Sequence, residues 1–110
     1  MKITIITPTF NSDKNIYKNI SSVSQQTYKN WEQIIIDNNS TDNTLPIINK
    51  FNEKKIKIIK EKDEGIFDAI NKGIINSSGE IISILHFQFL VITPRNFFDR
   101  FASFFSTLCF

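Results

Sequence analysis

KITIITPTFNSDKNIYKNISSV, residues 2–23, changes its periodicity part-way along the stretch. Its first part, Lys2–Thr7, is rich in β-branched side chains, which predicts a strand that ends at Pro8. Three apolar residues then follow at spacings of four and three, as on one face of a helix: Ile16, Ile20 and Val23. Residues 11–13 lie between the two patterns and are of types common in turns and helix N-caps. The stretch therefore predicts a β-α unit.

The same alternation of strand and helix patterns continues to residue 85. Three further β-branched runs predict strands, at Glu32–Asp37, Ile56–Lys60 and Glu80–Leu85. Two further apolar stripes with helical spacing lie between these runs: Leu45, Ile48 and Phe51, then Ile66, Ile70 and Ile74. Alternating elements imply a mostly parallel sheet with helices on both faces, so the predicted class is α/β with a Rossmann-like βαβαβαβ order. Such sheets bind ligands beyond the carboxyl ends of their strands.

Length and composition limit the classes of protein that fit this sequence. A chain of 110 residues holds at most one domain, and 41% hydrophobic residues suit a globular chain. Cys109 is the only cysteine, so we expect no disulfide framework, no cysteine-based metal site and a cytoplasmic location. The net charge of +2 gives no indication of nucleic-acid binding. The longest apolar run, residues 81–92, is shorter than the ~20 residues that span a bilayer, so we expect no transmembrane segment.

The loop after the first strand, TPTFNS, carries hydrogen-bonding side chains beside an aromatic ring. Thr7, Thr9 and Asn11 bring hydroxyl groups and an amide to the strand end, next to Phe10. A flat aromatic side chain beside hydrogen-bonding groups suits a planar base. The alternative is an ordinary strand-to-helix turn in which Asn11 and Ser12 cap the helix.

The next two loops carry acidic residues. Asp37 ends the second strand, where a carboxylate can accept hydrogen bonds from a ribose or a base; alternatively, Asp37 forms a local turn. In EKDEGIFDAINKGI, residues 61–74, Asp63 precedes a turn at Gly65, and Asp68 and Asn71 share one helix face. These side chains either face a ligand or belong to a solvated helix face. The sequence contains neither G-x-G-x-x-G nor a Walker A motif, so it supports no nicotinamide or P-loop site.

Four segments together resemble the family 2 glycosyltransferases. They are IITPTFNSDKNIYKNISSVSQQTY, EQIIIDNNSTDNT, DEGIFDAINKGI and GEIISIL, all within residues 1–85. The resemblance implies a GT-A fold, in which a nucleotide-binding sheet precedes an acceptor-binding half. It implies transfer of a sugar, typically a hexose, from a nucleoside-diphosphate-sugar to an acceptor in glycan or cell-surface polysaccharide synthesis. The implied location is the cytoplasm or the inner face of the membrane.

The resemblance assigns donor-binding roles to residues of all three loops. The predicted nucleotide-sugar-binding residues are Thr7, Pro8, Thr9, Phe10, Asn11, Asp37, Asp63, Asp68 and Asn71. By this resemblance, residues 7–10 lie along the nucleoside, and Asp37 contacts the base and its ribose. By the same resemblance, Asp63, Asp68 and Asn71 line the donor side of the cleft.

The sequence departs from the family pattern directly after Leu85. In this family an acidic cluster follows the fourth strand and binds Mg²⁺ or Mn²⁺, which stabilises the diphosphate leaving group. The matching residues here are His86, Phe87, Gln88 and Phe89, none of which is a carboxylate. We therefore expect no metal site in this chain, and we nominate no catalytic residue, because the family's catalytic base comes from a later segment. We expect a truncated glycosyltransferase that is inactive alone; the alternative is a non-catalytic nucleotide-binding or interaction module.

Residues 86–110 differ in composition from residues 1–85, the predicted donor-binding part. Of the 21 isoleucines, 20 precede His86, whereas eight of the 11 phenylalanines follow it. A change of reading frame near codon 86 would produce such a switch. Six apolar residues in this Phe-rich tail have helical spacing: Phe97, Phe98, Phe101, Phe104, Phe105 and Leu108. The predicted helix either covers the sheet, which we favour, or serves as a membrane-surface anchor or a surface for self-association.

Overall fold

The computed structural model of the chain describes residues 1–86 and 89–94. The strands are β1 (Ile3–Thr9), β2 (Trp31–Asp37), β3 (Ile56–Lys60), β4 (Ile81–His86) and β5 (Phe89–Pro94). The helices are α1 (Ile16–Ser24), α2 (Thr44–Asn49) and α3 (Ile66–Ile75). Among these helices, none is long and apolar enough to cross a membrane. The predicted helix at residues 97–108 lies outside the described residues.

The five strands form one sheet in the order β3-β2-β1-β4-β5. The first four strands run parallel, which confirms the predicted α/β class and its βαβαβαβ order. β5 runs antiparallel to β4, with Ile81 opposite Pro94 and His86 opposite Phe89. These residues belong to the divergent tail, in which no strand was predicted, although FLVITP is the kind of apolar, β-branched run that predicts a strand.

Isoleucines fill both faces of the sheet because side chains alternate along each strand. On one face, α3 packs Ile70 and Ile74 against strand residues of β1, β2 and β4: Ile6, Ile34, Ile36, Ile82 and Ile84. On the other face, Ile16 and Ile20 of α1 and Ile48 of α2 pack around Ile35. Each isoleucine buried in this way contributes about 1.5–3 kcal/mol to the free energy of unfolding. The predicted helical stripes are therefore the helix faces that the sheet buries.

A buried carboxylate ties the amino end of the sheet together. Glu32 in β2 is 2% exposed and accepts hydrogen bonds from the Ser78 backbone N–H at 3.0 Å and the Ser78 hydroxyl at 2.7 Å. The Nζ atoms of Lys2 and Lys57 each lie 3.6 Å from its Oε2. Burial alone raises the pKa of Glu32, but the hydrogen bonds from Ser78 and the two lysine charges outweigh it and lower the pKa. Glu32 therefore joins the turn before β4 to β2 and β3.

Gly79 lies against the backbone of β1 and leaves no room for a side chain. Its position after the third helical stripe predicts a left-handed helix cap, but its φ is not positive, so that prediction is wrong. Instead, its N–H donates to Thr4 Oγ1 at 2.8 Å. A Cβ added at Gly79 would lie 2.5 Å from that oxygen and 2.6 Å from the Thr4 backbone nitrogen.

We expect Gly79→Ala to lower the free energy of unfolding by about 1–3 kcal/mol, because the clash involves backbone that cannot rotate away. Urea unfolding followed by circular dichroism measures this change. Glu80→Ala, at the exposed neighbouring residue, is the control and should change stability by about 0.5 kcal/mol or less. Equal stabilities of the two variants would show that the turn shifts freely away from β1.

Candidate functional site

The carboxyl ends of β1, β2, β3 and β4 lie along one edge of the sheet because these strands run parallel. Three loops leave this edge: the first loop (residues 10–15), the second loop (38–43) and the third loop (61–65). The loops are hydrogen-bonded to one another rather than independent. Asn38 carries two of these bonds, donating its N–H to the Thr9 carbonyl at 3.0 Å and accepting the Asp63 N–H at 3.0 Å through Oδ1.

Asn11 joins the first loop to the second. Its φ of 45° is in the left-handed region, which asparagine tolerates better than most residues. Its N–H donates to Ser40 Oγ at 2.9 Å, and its Oδ1 accepts the Thr41 N–H at 2.9 Å. The predicted helix cap at Asn11 and Ser12 is wrong, because Asn15 directly precedes α1 and makes no side-chain cap bond. The predicted contact of Asn11 with a nucleotide stays a prediction.

Asp37 is fully buried at the end of β2. Its Oδ1 accepts hydrogen bonds from Thr9 Oγ1 at 3.0 Å and from Ser40 Oγ at 2.6 Å, and its Oδ2 accepts the Ser40 N–H at 2.8 Å. The local turn at Asp37, which was the alternative to ligand binding, is therefore present. A carboxylate has about four acceptor positions, so three bonds leave capacity for one more. The predicted contact of Asp37 with a base and its ribose stays a prediction.

A cleft of 230 Å³ opens between the first and third loops. Four of the predicted site residues line it: Pro8, Thr9, Phe10 and Asp63. Phe10 is 55% exposed, so much of its ring surface is accessible at this cleft. The cleft is also lined by three residues that were not predicted to bind a ligand: Asn38, Ile66 and His86. The sequence does contain one indication that Asn38 lies at the site, because Asn38 directly follows Asp37 at the end of the predicted strand.

The acidic residues of the third loop and α3 differ in their surroundings. Burial raises the pKa of Asp63, and the nearby Asp68 and Glu64 raise it further, against the opposing effects of the Gly65 N–H and of Lys72. Asp68 accepts the Glu64 N–H at 2.9 Å and pairs with Lys72 at 3.2 Å, so it holds the third loop against α3. Neither Asp68 nor Asn71 lines the cleft between the first and third loops, so their predicted donor contacts stay predictions.

A second cavity, of 320 Å³, lies on the α1 side of the same sheet edge. It shares Pro8, Thr9 and His86 with the first cleft, so the two are contiguous. Thr7 lines this second cavity, where its hydroxyl accepts a hydrogen bond from the buried Gln33 at 2.9 Å. Asn19 of α1 accepts from the same Gln33 amide at 2.9 Å. Five of the nine predicted site residues thus line one or both of these adjoining cavities, and four line neither: Asn11, Asp37, Asp68 and Asn71.

The end of β4 presents His86 to both cavities. Burial lowers the pKa of this imidazole, so it is neutral at pH 7. Within residues 1–86 and 89–94, no cluster of three or more His, Cys, Asp or Glu side chains could hold a metal ion. Mg²⁺ and Mn²⁺ prefer oxygen ligands, so this donor set does not fit either ion.

The sequence matches a known family over most of its length. The model of "Glycosyl transferase family 2" matches residues 4–86. The chain belongs to glycosyltransferase family 2. Among curated relatives, a UDP-Glc:α-D-GlcNAc-diphosphoundecaprenol β-1,3-glucosyltransferase (WfgD) of Escherichia coli is 37% identical over 84 residues. Glycosyltransferase GlyA of Streptococcus pneumoniae is 34% identical over 86 residues.

Solved structures support the same family and fold. TarS of S. aureus in complex with UDP-GlcNAc aligns with a TM-score of 0.73 and 28% identity over 78% of this chain. A mannosyltransferase of Pyrobaculum calidifontis, in complex with GDP-Man and Mn²⁺, has a TM-score of 0.71 at 24% identity, which supports the fold alone. The described residues therefore form the sheet of a family 2 glycosyltransferase with the GT-A fold.

The chain is short beside these family 2 proteins. The alignment covers 76% of this chain but 33% of WfgD and 12% of GlyA. It covers 26% of the TarS chain. The similarity therefore concerns only part of each of these proteins.

Proposed function

We propose that this chain binds a nucleoside-diphosphate-sugar as the donor-binding part of a family 2 glycosyltransferase of glycan or cell-surface polysaccharide synthesis. The observation that carries the proposal is the cleft at the carboxyl ends of the parallel strands, with Phe10 at its surface and Asp63 inside. The proposed nucleotide-binding residues are residues 7–11 together with Asp37, Asp63, Asp68 and Asn71. The UDP-Glc in the name of WfgD and the UDP-GlcNAc bound to TarS support the donor class but do not select one sugar.

The cleft has the surfaces that a nucleoside needs. The Phe10 ring, 55% exposed, provides a face on which a base can stack. Asp37 is fully buried, but Thr9 lines the cleft and donates its hydroxyl to this carboxylate, and we propose that a ribose hydroxyl takes the remaining acceptor position beside it. Asn38 and Asp63 fix the spacing of the second and third loops through their 3.0 Å hydrogen bond. The loops are thus held in place before a ligand arrives, which reduces the entropy that binding must remove.

Donor binding without sugar transfer is the second candidate function. The position of the family's metal-binding carboxylates is taken by His86, and the described residues provide no oxygen-rich metal cluster. Family 2 enzymes that use Mg²⁺ or Mn²⁺ stabilise the departing diphosphate with the ion. We propose that nucleotide binding by this chain does not need the ion and that transfer requires groups other than those described.

We expect saturable binding of UDP or GDP in isothermal titration calorimetry, with affinities that agree within about twofold in Mn²⁺ and in EDTA. Phe10→Ala should weaken binding by about tenfold, because base–aromatic stacking contributes about 1–3 kcal/mol. Tyr17→Ala is the matched control, since Tyr17 is similarly exposed, at 63%, but lies outside the cleft.

Absence of binding by the folded chain to both nucleotides would contradict the proposed donor site. Binding that requires Mn²⁺ would instead contradict the proposal that this chain binds the nucleotide without the ion. It would indicate that carboxylates of this chain hold the ion.

A further inference from the structure

Lys72 joins α3 to the third loop. Its ammonium group lies 3.1 Å from Glu61 Oε1 and 3.2 Å from Asp68 Oδ2. It also donates a hydrogen bond to the Lys62 carbonyl at 2.9 Å. The Lys72 side chain is 23% exposed, so water reaches only part of it. One cation of the helix therefore contacts the first two residues of the loop and a carboxylate of its own helix.

The other three residues of the third loop are also hydrogen-bonded. Asp68, the helix carboxylate that pairs with the cation, accepts the Glu64 N–H at 2.9 Å. Asp63 accepts the Gly65 N–H at 3.0 Å through Oδ1, and its own N–H donates to Asn38 at 3.0 Å. Each residue of the loop thus has at least one hydrogen bond or ion pair that fixes its position.

Carboxylates outnumber lysines around the third loop. Residues 61–72 contain two lysines and four acids, which are Glu61, Asp63, Glu64 and Asp68. The first lysine, Lys62, is exposed, so water and salt screen its charge. Lys72 is less exposed and makes both ion pairs described above. Its removal would therefore leave the carboxylates to repel one another.

We propose that Lys72 is a positioning residue for nucleotide binding: it holds the third loop in place so that Asp63 lines the cleft before the nucleotide arrives. Lys72 can have this role only if the donor site of the proposed function exists, since Asp63 is one of its residues. Lys72 lies outside the set of residues that line the cleft, so it acts through the loop rather than on the ligand. A loop that is ordered in advance lowers the entropy that binding must remove.

Lys72 also influences the charge of Asp63. Burial raises the pKa of Asp63, and the charges of Asp68 and Glu64 raise it further. The charge of Lys72 opposes this rise. His86, which lines the same cleft, is neutral at pH 7 and adds no charge there. Removal of the Lys72 ammonium group should therefore raise the pKa of Asp63 further, so that Asp63 takes up a proton at a higher pH than in the wild type.

Titration calorimetry with UDP tests the positioning role. We expect Lys72→Met to weaken binding by about tenfold, because the nucleotide must then order the loop. Lys72→Arg keeps the charge and several donors and should restore most of the affinity. Lys62→Met removes the same charge from an exposed lysine of the same loop and should change the affinity by about twofold or less. As the pH falls, binding by Lys72→Met should weaken at a higher pH than binding by the wild type, which a loss of packing alone would not cause.

An NMR titration of the Asp63 carboxyl carbon needs no nucleotide. The pKa of Asp63 should be higher in Lys72→Met than in the wild type and nearly unchanged in Lys62→Met. Circular dichroism establishes that the variants are folded. If Lys72→Met does not fold, Lys72→Gln replaces it, because glutamine still offers an N–H donor to the Lys62 carbonyl.

Two results would overturn the positioning role while the donor site stands. One is a wild type that binds UDP and a Lys72→Met variant that binds it equally tightly. The other is an Asp63 pKa that is the same in the wild type and in Lys72→Met. Failure of the wild type itself to bind UDP is a different result, because it would contradict the donor site and, with it, the role of Lys72.

Discussion

Replacing Asp37 with asparagine should weaken UDP or GDP binding by about tenfold to a hundredfold, because hydrogen bonds to charged groups contribute about 1.5–3 kcal/mol. The fold should survive this change. An asparagine oxygen can still accept the Ser40 N–H, now 2.8 Å from Oδ2, and its amide can donate to the hydroxyls of Thr9 and Ser40. What asparagine lacks is the negative charge and the remaining acceptor position that we propose for the ribose. Titration calorimetry and a thermal melt on the same sample separate the two effects.

Asp37→Ala provides the comparison. It removes all three internal hydrogen bonds at a fully buried position, so it should lower the free energy of unfolding by about 2–4 kcal/mol as well as prevent nucleotide binding. Ser77→Ala is the control, because the Ser77 hydroxyl donates to the Ile74 carbonyl before β4 and Ser77 lines neither cavity. If Asp37→Asn binds the nucleotide as tightly as the wild type, the proposed contact between Asp37 and the ribose is wrong. The carboxylate would then serve only to hold the loops in place.

The sequence was sufficient to predict the order of the first seven elements. Each predicted apolar stripe and strand run reappears as a helix or strand that packs apolar side chains on the core, although those of β3 are only partly buried. The agreement follows because hydrophobic periodicity and burial share the same physical cause. The helix cap at Asn11 was wrong for a different reason. Caps depend on where the first turn closes, and here hydrogen bonds to Ser40 and Thr41 hold Asn11 away from α1. Such contacts join residues about 30 positions apart, which a local pattern does not record.

The site was only partly predictable for the same reason. Strand ends indicate which loops meet, so Pro8, Thr9, Phe10 and Asp63 could be placed together before the structure. Side-chain direction could not be predicted: Thr7 lines the cavity beside α1, and Asp68 faces Lys72. Glu32 shows the same limit at the other end of the sheet. Its place in the strand EQIIID indicates nothing about Lys2 and Ser78, which meet it only after the parallel sheet forms.

Removing the Glu32 carboxylate should have the largest effect on stability. We expect Glu32→Ala to lower the free energy of unfolding by about 3–5 kcal/mol, because it removes a buried carboxylate that accepts several hydrogen bonds, each of which contributes about 1.5–3 kcal/mol when the acceptor is charged. The donors are the N–H and the hydroxyl of Ser78 and the buried Thr4 hydroxyl, whereas the ammonium groups of Lys2 and Lys57 stay solvated and add little. Glu80→Ala removes an exposed acid at the same end of the sheet and is the matched control. Urea unfolding at neutral pH measures both variants; equal stabilities would mean that water replaces the carboxylate at no cost.

Glu32→Gln tests the charge separately from the packing, through the dependence of stability on pH. The folded chain holds the pKa of Glu32 below its ordinary value, so the folded state binds this proton less readily than the unfolded state. The resulting stabilisation is complete above the unfolded pKa of about 4.3 and is lost as the pH falls through the lower folded pKa. The stability difference between the wild type and Glu32→Gln should therefore be largest near neutral pH and shrink in acid. A difference that stays constant as the pH falls would mean that the hydrogen bonds from Ser78, rather than the charge of Glu32, stabilise this end of the sheet.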